Sequence, residues 1–110
     1  MFVRVDTLRA IATLEEPVDT LRFHVEVVGA DPIEPGLARF GRLAPEGHAL
    51  IDIDAIKAAA AGRVPDSWIA AFEQMLEDAR AHGWIDEESQ SIKAHVQFVE
   101  APKEKRRFLR

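Results

Sequence analysis

The sequence predicts an α+β domain of two layers: a mainly antiparallel sheet with one long amphipathic helix, over about residues 65–82, lying on one face. Three stretches carry that expectation. Residues 21–28 alternate, with Leu21, Phe23, Val25 and Val27 on one side and Arg22, His24 and Glu26 on the other. That period of two marks a half-buried strand. Residues 91–99 repeat it, with Ile92, Ala94, Val96 and Phe98 set against Lys93, His95 and Gln97. Between them, Trp68, Ile69, Phe72, Met75, Leu76 and Ala79 recur at helical spacing, while Glu73, Gln74, Glu77, Asp78 and Arg80 fill the opposite side.

The punctuation around the helix agrees with its stripe. Pro65 suits a first turn, where its missing amide proton costs nothing. Asp66 sits near the positive end of the helix dipole. Gly83 suits a left-handed residue after the last turn, with Trp84 folding back as in a Schellman cap. Residues 54–62 read as a short helix stopped by Gly62, with Asp52 or Asp54 as its cap. Residues 49–52 read as a short strand entered through a turn at 45–48.

The first twenty residues open with a strand at 2–5. Asp6 could then cap a helix that groups Leu8, Ile11 and Ala12, or the same segment could be a strand showing Leu8, Ala10, Ala12 and Leu14 on one face; the helix is preferred. Residues 31–47, rich in proline and glycine, read as a long ordered loop with a short extended piece at 38–43. Loops of this length are uncommon in compact domains and often carry function. The element order matches a ferredoxin-like fold, with an antiparallel meander crossed by the helix as the alternative. In the ferredoxin-like order the two strongest strands lie at opposite edges of the sheet.

Composition bounds the function classes. The chain has 110 residues, room for one domain at 1–101 followed by a basic C-terminal tail at 102–110. With 47% apolar and 30% charged residues it has the balance of a folded globule. Absence of cysteine removes disulfides, thiolate catalysis and cysteine-ligated metals. No signal peptide or spanning run is read from the sequence, so a cytoplasmic protein with no membrane contact is expected. The net charge is −5, but the segment from Lys103 onward holds five bases and one acid, a net +4 that leaves −9 on residues 1–102. An acidic body repels nucleic acid, except through the tail residues Lys103, Lys105, Arg106 and Arg107.

No Gly-x-Ser-x-Gly, Gly-x-Gly-x-x-Gly or Walker pattern occurs, and no catalytic residue, metal ligand or cofactor is assigned. His24, Glu26 and His95 form a candidate polar sheet face, with solvent exposure the simpler account of them. Asp52 and Asp54 are explained by helix capping, and the acidic run at 86–88 by a surface turn. Arg39, His48, Asp52 and Trp84 form a candidate ligand pocket between the helix and the 31–47 loop. The first functional expectation is a non-catalytic binding or assembly domain. It would meet a second copy or a protein partner through a sheet face mixing Val28, Leu50 and Val99 with polar residues. The alternative is a small-molecule enzyme or sensor using the candidate pocket.

Overall fold

Strands alternating buried and exposed residues dominate the chain. The computed structural model describes residues 1–99, in the order β1 (Phe2–Asp6), β2 (Ile11–Glu15), β3 (His24–Val28), α1 (Glu34–Leu37), β4 (Gly41–Ala44), β5 (His48–Asp52), α2 (Ile53–Ala60), α3 (Trp68–Ala81), β6 (Ile85–Asp86) and β7 (Ser91–Val99). The basic tail residues named above lie outside the described residues.

The strands join in the order β2-β1-β3-β7-β5-β4, with β6 also pairing β7. β1 pairs antiparallel with β2 but parallel with β3, and β3 pairs parallel with β7. β7 then pairs antiparallel with β5, and β5 with β4. The result is a mixed, curled seven-stranded half-barrel with only short helices. It overturns the expected two-layer α+β arrangement with a mainly antiparallel sheet, and with it the ferredoxin-like order. The amphipathic helix is 14 residues long, not a helix over 65–82, because Pro65–Ser67 form a turn in which the Trp68 amide reaches the Pro65 carbonyl. The two strongest strands are neighbours, in the register Val25↔Val96, rather than opposite edges. Side-chain alternation is the same in parallel and antiparallel strands, so periodicity carries no information on this choice.

Local departures have local causes. Residues 6–16 are not helical: the Asp6 carboxylate caps a turn by accepting from the Leu8 and Arg9 amides, and Ala10 at φ 53° turns the chain back into β2. β3 starts at His24, because Asp19 accepts from the Leu21 amide in a preceding turn and leaves Leu21 92% exposed. The segment 31–47 holds α1 and β4 rather than an unbroken loop. The cap of α3 follows its sequence signals. Gly83 has φ 77°, the Trp84 amide donates to the Ala79 carbonyl and the Gly83 amide to that of Arg80, the paired bonds of a Schellman motif.

One core joins Val3, Val25, Ile51 and Ile92 of the sheet to Ile56 of α2 and Phe72 and Leu76 of α3. Phe72 is fully buried and stacks on Trp68 at 4.6 Å, and the Trp68 indole donates to the Pro17 carbonyl at 2.6 Å. Phe98, expected in this core, is 57% exposed near the end of β7. The short helix α1 touches both edge strands, β2 and β4, so each edge of the curled sheet has a covering element.

Ser91, fully buried, donates to the Asp52 carboxylate at 3.1 Å, while Ser89 donates to Asp86 at 2.7 Å. Asp52 stands at the N-cap position of α2 without a side-chain cap bond; its carboxylate is used on Ser91 instead. Ser91→Ala is expected to cost about 1.5–3 kcal/mol, the usual loss for a hydrogen bond to a charged partner. Urea unfolding checks this, and an unchanged midpoint would show the bond to be neutral. The Asp86 carboxyl is held below its ordinary range by the Ser89 hydroxyl, against opposing desolvation, with the Glu88 and Ser89 amides and the Arg42 charge adding to the effect. Its contribution is therefore complete above the ordinary aspartate range and is lost as pH falls through its lowered value.

Candidate functional site

A gap in the sheet makes the site. On one edge of β7, β6 pairs as far as Ile85↔Ile92, while β3 begins at Val25↔Val96. Residues 93–95 between these pairs have a strand neighbour only in β5. The Trp84 carbonyl takes the Lys93 amide at 2.7 Å, which ends the β6 side of the gap. Here a pocket of about 320 Å³ opens, at the small end of the range typical of ligand clefts. Its walls are residues 20–23 leading into β3, the C-terminal half of α3, Trp84, His48 of β5, and Ile92, Lys93 and His95 of β7.

Three of the four histidines meet in this pocket: His48, His82 and His95. The β5–β7 register sets His48 opposite His95, and their rings meet edge to face at 5.8 Å. His82 stacks on Trp84 at 4.7 Å, and Trp84 remains 47% exposed. The Schellman motif explains that stack, since it turns the chain back within two residues of His82. Two rings have assignable protons. His82 Nδ1 donates to the Asp78 carbonyl at 2.8 Å and His48 Nδ1 to the Pro45 carbonyl at 3.3 Å. Each therefore keeps Nε2 free of partners among the described residues, as an acceptor when the ring is neutral and a donor when it is charged.

The expected sites are only partly assembled. His48 and Trp84 line the pocket, whereas Arg39 and Asp52 do not; Asp52 is engaged with Ser91. The cavity lies against α3 but takes no residue from 31–47. His24 and Glu26 pair at 2.9 Å, with His24 stacked on Phe2 at 5.0 Å, but His95 meets His48 instead of joining them. Thr20, Arg22, Asp78, His82 and Lys93 were not anticipated in the pocket. His82-Gly83-Trp84 was the available signal, because a left-handed glycine between two ring residues folds one ring over the other.

Among the described residues, no group of three or more His, Asp or Glu side chains is arranged to hold a metal ion. No described helix is long and apolar enough to cross a membrane.

Fold and site together define a curled mixed half-barrel with a histidine- and tryptophan-lined pocket at a break in its sheet. No known protein family, curated protein or solved structure matches the chain.

Proposed function

We propose that this protein is a small-molecule-binding domain whose ligand occupies the pocket at the β3–β6 gap. The observation that carries this reading is the half-exposed Trp84 ring beside three histidines, around a cavity of about 320 Å³. An apolar floor of Met75, Ala79 and Ile92 with a few polar groups above it is the composition of a ligand cleft. Binding is favoured over catalysis by the condition of the polar groups. The Asp78 carboxylate accepts from Gln74 at 3.1 Å, and the Nδ1 protons of His82 and His48 are bonded to backbone carbonyls. No hydroxyl hydrogen-bonded to a histidine is found among the described residues, so the nucleophile–base pair of a hydrolase is not assembled there.

Filling the cavity tests the reading. Ala79 is nearly fully buried beneath the pocket, and Ala79→Phe, shown to fold by a cooperative thermal transition, is expected to abolish ligand-induced chemical-shift changes at the Trp84 indole in a fragment screen by NMR. The original chain should show such changes. A screen in which no fragment moves Trp84, or in which the filled variant responds equally, would remove the pocket from consideration.

A second reading, assembly with a protein partner or a second copy, is favoured by Leu21, 92% exposed on the pocket rim. The face first suggested for such a partner is less suited to it, since Val28, Leu50 and Val99 are each half-buried. Light scattering that gives a strict monomer would remove self-assembly. Cytoplasmic placement and the two-part division at residue 101 remain part of the proposed picture.

A further inference from the structure

We infer that the ligand is a small planar organic anion, an aromatic ring bearing a carboxylate or a phosphate; this rests on the pocket being a ligand site. The described residues carry a surplus of acids, yet the pocket reverses that sign. Its formal charges are Arg22, Lys93 and a single acid, Asp78. Arg22 comes from the segment before β3 and Lys93 from β7, so two cations stand on different walls of one opening. Neither forms an ion pair within the described residues, whereas Arg80 and Arg42 elsewhere do. The nearby Asp19 carboxyl, lowered in pKa chiefly by the Leu21 amide, is lowered further by the Arg22 charge, but cations in a concave site on an acidic molecule still focus the field that attracts a small anion.

The C-terminal end of α3 faces the same cavity, and its exposed carbonyls would oppose an anion. They are largely satisfied. The Asp78 carbonyl takes His82 Nδ1, the Ala79 carbonyl takes the His82 and Trp84 amides, and the Arg80 carbonyl takes the Gly83 amide. The Schellman turn thus quenches the negative pole and presents an aromatic surface in its place. The Trp84 indole, half-exposed and backed by His82, offers that surface to a flat ring. A planar ring on Trp84 with its acidic group toward Arg22 and Lys93 uses both features.

The test compares 2-naphthoate with its neutral isostere 2-naphthamide, and with 2-naphthyl phosphate, by NMR at the Trp84 indole and by calorimetry. Naphthoate or naphthyl phosphate is expected to bind at least about tenfold more tightly than the amide, a ratio that high salt should reduce. The better of the two acids distinguishes a carboxylate ligand from a phosphate one. In the double variant Arg22→Gln, Lys93→Gln the ratio of acid to amide affinity should fall to about one, and a ratio that stays near tenfold would overturn the assignment of these two cations. Both residues are exposed, and an unshifted melting temperature confirms that the variant folds. Equal affinity for acid and amide at Trp84 would overturn the anion inference and leave the ligand site standing. Failure of all three naphthyl probes, together with an empty fragment screen, would overturn both.

Discussion

Phe72→Ala is expected to lower the unfolding free energy by about 3–5 kcal/mol, the usual cost of removing a buried aromatic ring. Phe72 has no exposed surface and belongs to the core that α3 shares with the sheet. It also stacks nearly parallel on Trp68, so truncation removes that contact as well as the transfer energy. For a domain of this size the loss is a large share of total stability, commonly about 5–15 kcal/mol. Phe72→Leu, which retains much of the volume, should lose distinctly less. Urea denaturation followed by circular dichroism measures both. A Phe72→Ala midpoint within error of the original would mean that α3 does not close the core.

The second large effect is expected at Gly41. A Cβ built there would overlap the Leu50 carbonyl oxygen on the neighbouring strand and would lie 3.0 Å from the Ile51 Cα. The obstacle is backbone, which cannot rotate away as a side chain can, so β4 and β5 would have to separate. Gly41→Val should therefore cost at least about 2 kcal/mol, within the range for overpacking a tight site. Gly47 provides the control. Its φ of 76° penalises a side chain, but a Cβ there meets nothing within 4 Å. Gly47→Ala should cost only the conformational term, about 1–2 kcal/mol. If thermal unfolding ranks Gly47→Ala as the more damaging change, the close approach of β4 to β5 is not as described.

What could be read in the sequence was the local period. Residues 91–99 alternate and form β7 over that span; residues 68–81 carry a helical stripe and form α3; Gly83 and Trp84 announce the cap. What could not be read was partner choice. Val25 alternates identically whether its neighbour is Val96 or a strand from another part of the chain, and parallel pairing leaves no mark on the alternation. Asp6 shows a different limit. The sequence offers it as the cap of a helix, but the same carboxylate caps a single turn, and Ala10 in a left-handed conformation sends the chain back as a strand.

The site was legible to a similar degree. His48 and Trp84 could be singled out by their place at element junctions. Arg22 and Lys93 could not, since each reads as an ordinary outward residue of an alternating strand. They line one opening only because β3 begins three residues after the alternation does, leaving residues 21–23 as one of its walls.

The double membership of β7 has a consequence for how the chain acquires its shape. Its first half belongs with β4, β5 and β6, and its second half with β1, β2 and β3. Until this last described strand arrives, the β1–β3 group, the β4–β5 pair and β6 share no ladder. Completion must wait for contacts between residues some seventy positions apart, such as Val25 with Val96, and ring closure over such a span slows assembly. The molecule should thus gather late and all at once, with β7 acting as the zip between its halves.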